Sequence, residues 1–262
     1  EMPLWMHFDQ PGGNDMINTY GGDSLQNPTM FNGHLAVCNA AYDLWRVDFI
    51  KDIGYHTYTT GTSYYKGNIE ERDDDKGFSA YLGTEKIPNR ACNDVEISAL
   101  PNAPIDPDTG LPKLTIVTAT NRGISFIHNA DGLNGTYYSG IATNTTYDVI
   151  NMVKIKGDTL YTLSEPRLLY TWTLPFYKST TGATLSGYNG LVFLNSIQRS
   201  VNPSSTSSIV VKNNKDVVVG TASELLLVAP QYRSSGNELD DASGRMVASI
   251  KSDYNSGWMC GG

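Results

Sequence analysis

Apolar and polar positions alternate in short runs along this chain, and one arrangement of them recurs four times. Leu35-Ala-Val-Cys-Asn-Ala-Ala-Tyr-Asp-Leu-Trp-Arg-Val47 reads as an apolar strand, a polar break and a second apolar strand. Residues 114–126, 160–172 and 217–228 repeat that plan. Runs this short, rich in β-branched and aromatic residues and bounded by Gly, Asn and Asp, fit strands joined in hairpins. Residues 216–227 lack a capped 3.6-residue period and are too β-branched for a helix, and no other segment reads as one. A degenerate hairpin repeated along one chain predicts an all-β fold, a β-propeller of antiparallel hairpins, because each unit must bury its faces on its neighbours.

The spacing of the repeats refines this expectation. The interval from Leu35 to Leu114 is much longer than the two that follow, so one diverged unit is expected around residues 55–100. There Tyr55-His-Thr-Tyr-Thr-Thr60 and Gly77-Phe-Ser-Ala-Tyr-Leu82 read as strands flanking the charged loop 70–76. Val153-Lys-Ile-Lys-Gly-Asp158 and residues 209–216 lead into the third and fourth repeats as a strand and a turn. Met246-Val-Ala-Ser-Ile250 begins a final strand. Blades of ~40–50 residues predict five to six of them, in a single domain over residues 1–262. Residues 1–28 read as a lead-in arm that completes a blade begun at the other end of the chain and so protects open edges. The start at Glu1 and the stop at Gly261-Gly262 read as those of a segment of a longer protein.

Composition narrows the function classes. Hydrophobic residues at 40% allow a sizeable core, and charged residues at 18% are few for a helical protein. A net charge of -8 opposes binding to a phosphate backbone, so no nucleic acid is expected as a partner. No stretch approaches the ~18 apolar residues of a membrane span, so no membrane insertion is expected either. A basic and apolar leader is also missing from the start of the chain. Cys38, Cys92 and Cys260 are odd in number, widely spaced and without a CxxC pair. They read as buried or incidental thiols of a chain that matures in a reducing compartment.

Candidate chemistry is sparse. A glycosidase needs two carboxylates on opposite sides of the scissile bond. Asp9, Asp43, Asp48, Asp94, Glu96, Asp148, Glu165 and Glu224 are available, but their spacing selects no pair. Asp43, Glu165 and Glu224 fall in the polar breaks of their hairpins and read as turn residues. No catalytic residue is therefore assigned. The chain lacks a GxSxG elbow, a P-loop and a dinucleotide fingerprint, so no cofactor is expected. Asp106-x-Asp108-x-Gly110 places oxygen ligands at alternate positions as calcium loops do, but without the distal Glu. Asp106 and Asp108 read first as an Asp-Pro turn and second as a calcium site. His7, His34, His56 and His128 show no zinc spacing.

Tyrosines offer the positive hint for binding. Tyr55, Tyr58, Tyr64, Tyr65, Tyr137, Tyr138 and Tyr188 are expected in or near loops, where they suit sugar stacking or protein contacts. Packing between blades is the alternative use. The long loops at 61–77, 101–112 and 199–208 are the expected recognition surfaces.

A resemblance adds to these readings. Leu114-Thr-Ile-Val-Thr-Ala-Thr-Asn-Arg-Gly-Ile-Ser-Phe-Ile-His-Asn-Ala-Asp-Gly132 is similar to a phrase in propeller regions of tailed-bacteriophage tail and fibre proteins. Asp158-Thr-Leu-Tyr-Thr-Leu163 and residues 216–227 resemble its following repeats. Residues 239–259 resemble the segment that leaves the propeller there. The likeness covers about residues 110–262 and brings no catalytic residues with it. It implies a virion structural protein, a tail fibre or tail-tip component assembled in the host cytoplasm as a homo-oligomer. Its implied partners are other tail subunits and a host surface glycan or receptor protein. A propeller glycosidase or lyase acting on surface polysaccharide, and a secreted propeller lectin, are the alternatives.

Overall fold

The computed structural model of the protein describes residues 25–39, 43–51, 53–66, 79–82, 86–130, 136–141, 149–164, 168–174, 183–184, 190–193, 206–211, 217–221, 224–228 and 247–251. These residues form four sheets and no helix. The first sheet runs in chain order through β1 (Leu25–Phe31), β2 (His34–Asn39), β3 (Leu44–Asp48), β4 (Ile53–Thr57), β5 (Thr62–Lys66) and β6 (Ser79–Leu82). The second holds β7 (Cys92–Ser98), β8 (Leu114–Thr120), β9 (Gly123–Ala130) and β10 (Thr136–Ile141). The third holds β11 (Ile150–Lys156), β12 (Thr159–Ser164), β13 (Leu168–Thr173) and, beyond the two-residue β14 (Ala183–Thr184), β15 (Gly190–Phe193). The fourth is β16 (Thr206–Val211), β17 (Val217–Thr221), β18 (Glu224–Val228) and β19 (Val247–Lys251). Every named pairing is antiparallel except that of β14, which extends the second sheet parallel to β10.

The recurring phrase of the sequence has a fixed place in this architecture. It forms β2–β3, β8–β9, β12–β13 and β17–β18, the second and third strands of each sheet. A second repeat lies in the first strands, where each carries one extra residue against its partner. The register shifts fall between Gln26 and Thr29 in β1, Cys92 and Asp94 in β7, Ile150 and Met152 in β11, and Thr206 and Ser208 in β16. Such a bulge bends its strand and adds local twist. The first hairpin turns through Asn32 and Gly33, both at positive φ (45° and 75°), as a tight Asn-Gly turn requires.

The first three sheets pack face to face in series. Ile116 and Ile127, paired across β8 and β9, point toward the first sheet and join Ala36, Cys38, Leu44 and Val95 in one core. The pairs Val117–Phe126 and Ala119–Ile124 point the other way and join Ile150, Val153, Leu160 and Trp172 in a second core. This follows from the two-residue period of a strand, and it leaves β8 buried along its whole length. The first strands lie side by side in chain order: β7 packs on β1 and on β11, and β11 packs on β16.

Two expectations are corrected. Residues 55–100 do not hold a separate unit. The short connections after β3 and β4 keep β4 next to β3 and β5 next to β4, so the first sheet grows to six strands and a new sheet begins only at β7. The described residues form four sheets. At the end of the expected lead-in arm, β1 pairs with β2. Residues 2–8 lie outside the described residues. Finally, Cys38 and Cys92 are not thiols. They form a disulfide between β2 and β7, with Cα atoms 5.1 Å apart. Their separation of 54 residues carries no local signal, and only the stacking of two sheets brings them together.

Candidate binding surface

One end of the first sheet meets the turns that precede β8 and forms a small charged cleft of ≈ 20 Å³. Asp48 ends β3 directly opposite His34 of β2. Its Oδ1 accepts the backbone N–H groups of Ile50 and Lys51, both at 3.0 Å, which shapes the β3–β4 turn. That turn carries Lys51 toward Asp106, where Nζ meets Oδ2 at 3.0 Å. Asp106 Oδ1 accepts the N–H of Asp108 at 2.9 Å. The N–H of Asp108, followed by the Lys51 ammonium, holds the Asp106 carboxyl below the usual carboxylate range. Burial pushes the His34 imidazole down, against a smaller opposing pull from Asp48 at 3.8 Å, so it is neutral near pH 7.

Apolar Ile50 and Leu111 line the cleft beside polar Asn32, Thr109 and Lys113. Met30, Phe31, Ile50, Ile105 and Leu111 are all exposed. Ile50 and Leu111 line the cleft, Ile50 also packs on Gly33, and Ile105 bridges to Pro112. An exposed apolar rim around fixed hydrogen-bonding groups is the makeup of a contact site. A volume of ≈ 20 Å³ has room for one protruding polar group, and the rim supplies the remaining contact area.

A second constellation gathers around a buried carboxylate, with Arg90 exposed at its edge. Asp43 precedes β3 at φ 80° with a fully buried side chain. His56 Nε2 lies 3.4 Å and Arg90 Nε 3.7 Å from its carboxylate. The His56 ring stacks on Trp45 with centroids 3.6 Å apart, because β3–β4 pairing sets these two residues opposite each other. Burial raises the neighbouring Tyr58 hydroxyl above its ordinary value. The sequence reading of Asp43 as a turn residue missed this cluster, and the cross-strand register was the signal that could have found it.

The third group lies between the second and third sheets. Asp94 Oδ2 accepts the Val153 N–H at 3.0 Å, and Glu96 Oε2 meets Lys154 Nζ at 2.6 Å. Burial pushes the Asp94 carboxyl up to about 6.

Of the tyrosines expected in or near loops, Tyr58 lies in the connection between β4 and β5 and Tyr55 within β4. Tyr64 and Tyr65 belong to β5, and Tyr137 and Tyr138 to β10, so all four occupy strands and not loops. Tyr64 is half-buried opposite Tyr55, whose ring carries the Arg46 guanidinium 4.7 Å from its centroid. Tyr65 pairs with Gly54, and Tyr137 and Tyr138 with Ile127 and Phe126. Tyr188, Asp9, Asp148 and Glu165 lie outside the described residues, and Glu224 opens β18 opposite Lys251. Both Asp106 oxygens face donors from the chain itself, and Asp108 is exposed. Among the described residues no three His, Cys, Asp or Glu side chains gather as metal ligands.

No protein family and no curated protein matches this chain. Among solved structures it is similar to the extracellular domain of a B. thetaiotaomicron protein named as a one-component system. The identity is 12% and the TM-score 0.38, over 81% of this chain and 28% of that one. The chain thus spans well under a third of that protein's length. It is also similar to the computationally designed Ika8 protein, at 10% identity and a TM-score of 0.26, over 78% of this chain and 83% of that one. Likenesses this distant carry no argument about function.

Proposed function

We propose that the chain is a propeller-type structural module of a phage tail fibre or tail tip, and that it binds a host surface or a neighbouring subunit at the end that carries the charged cleft. The supporting observation is the repeat itself. The phage-like phrase at 114–132 covers the β8–β9 hairpin, and the same hairpin holds the same place in all four sheets. First strands aligned in series, each with a bulge, are what the innermost strands of a radial array would show. On this reading the protein works by holding surfaces in place, with no reaction and no cofactor. The apolar rim of Ile50, Ile105 and Leu111 supplies contact area, while His34, Asp48, Lys51 and Asp106 supply the polar selectivity. The Cys38–Cys92 bridge bears on localisation, because a virion part assembled in a reducing cytoplasm would close it only after release.

The first test is mass spectrometry of purified particles, which should contain the chain. The second is competition: added protein should slow adsorption of the phage to its host, and an Ile50→Ser/Leu111→Ser variant with an unchanged circular dichroism spectrum should not. Equal competition by the variant refutes the placement of the contact at this end. Absence of the chain from particles refutes the virion role.

A further inference from the structure

We propose that the Cys38–Cys92 bridge is a redox gate on the charged cleft: the closed bridge aligns the two cleft walls for binding, and its reduction lets them slide out of line. This rests on the contact role proposed for the cleft and adds the control of that contact. The walls belong to different sheets. His34, Asp48 and Lys51 come from the first sheet and its β3–β4 turn, whereas Asp106 and Lys113 come from the loop before β8, and Leu114 opens β8 in the second sheet. Cys38 and Cys92 join the same two sheets, and both are fully buried. Two strands run from the bridge to the cleft. β2 holds Cys38 near one end and His34 at the other. β8 sets Thr120 opposite Cys92 at one end and Leu114 in the cleft at the other.

Leu114 also shares one apolar core with Cys38 and Cys92. Apolar contacts hold the two sheets together but are non-directional, so they do not fix how far one slides on the other. At the cleft the walls meet through the Lys51–Asp106 ion pair, and a partly exposed pair of this kind adds little. Without the bridge, its own end keeps hydrogen bonds such as that from the Asp43 N–H to the Arg90 carbonyl at 2.8 Å, which water can replace. The step is thiol–disulfide exchange with a dithiol reductant. One reductant thiolate attacks a bridge sulfur, the Cys38–Cys92 S–S bond breaks, and the other cysteine leaves as a thiolate that takes a proton. The second reductant thiolate then displaces the first cysteine, so the chain gains two electrons and two protons and the reductant leaves as its own disulfide. Glutathione disulfide drives the reverse exchange. Because both sulfurs are buried, either direction needs a transient parting of the sheets. In a virion part, the cleft would stay out of line in the reducing cytoplasm of the host and become competent after release.

Lys51 and Lys113 stand on opposite walls, so a short bis-ester amine cross-linker reads the cleft without any ligand. The Lys51–Lys113 link, found by peptide mapping, should form in the oxidised protein and return after reduction once glutathione disulfide is added. On reduction its yield should fall by about tenfold, the change expected when about a tenth of the molecules keep the aligned form. The Cys38→Ser/Cys92→Ser variant should match the reduced protein, and should it not fold, reversible reduction of the unaltered protein decides. Equal yields in the oxidised and reduced states overturn the gate. So does loss of the circular dichroism spectrum on reduction, since the bridge would then hold the whole fold and not the cleft. Competition with phage adsorption separates the gate from the contact it controls. Equal competition by oxidised and reduced protein refutes the gate and leaves the contact standing. Competition by neither refutes the contact, and the cross-link then decides the alignment by itself.

Discussion

Asp94 and Asp106 are the same residue type with opposite electrostatic fates, and their surroundings explain both. Asp106 sits at the rim of a cleft with a backbone N–H and a lysine ammonium on its two oxygens. Asp94 is enclosed between sheets. Because its folded pKa is lowered, Asp106 contributes stability above the ordinary carboxylate range and loses it as pH falls through its lowered value. Asp106→Asn should therefore lower the melting temperature near pH 7, and the gap from the parent protein should close in strong acid. Thermal scans of both proteins across pH check this, and a gap that widens with acid would contradict the assignment. The Asp106-x-Asp108 spacing was visible in the sequence. Its lysine partner was not, since Lys51 lies 55 residues away and reaches Asp106 only through the β3–β4 turn.

At the scale of the strand, the alternation that predicted β8 and β9 also decides which side chains carry each core. Phe126 is among the largest fully buried side chains and stands opposite Val117 on the face shared with Trp172. Phe126→Ala should destabilise the fold by about 3–5 kcal/mol, the usual cost of removing an aromatic ring from a packed interior. Urea unfolding gives the number, and a loss under about 1 kcal/mol would mean that the two sheets do not pack as described. Hairpins of this kind were legible because their pairing is local. The bulges that recur in β1, β7, β11 and β16 were not, because an extra residue shows only against the partner strand.

Over the whole molecule, the joints between sheets matter most. The Cys38–Cys92 bridge closes a loop with a sequence separation of 54, for which chain entropy gives about 4 kcal/mol. The Cys38→Ser/Cys92→Ser variant should unfold at correspondingly lower urea, and reductant should shift the parent protein but not the variant. Non-reducing peptide mapping that finds both cysteines as thiols in the native protein would remove this joint from the account.

The sequence by itself determined the strands, their hairpins and the absence of a long apolar span, because period, turn residues and local pairing act within a dozen positions. Only the tertiary structure decided the rest. It placed β4–β6 in the first sheet, closed a disulfide, joined His56 to Asp43, and set Asp94 against β11. Each of these joins residues brought together by sheet growth or sheet stacking, and neither leaves a mark in the spacing of the residues it joins.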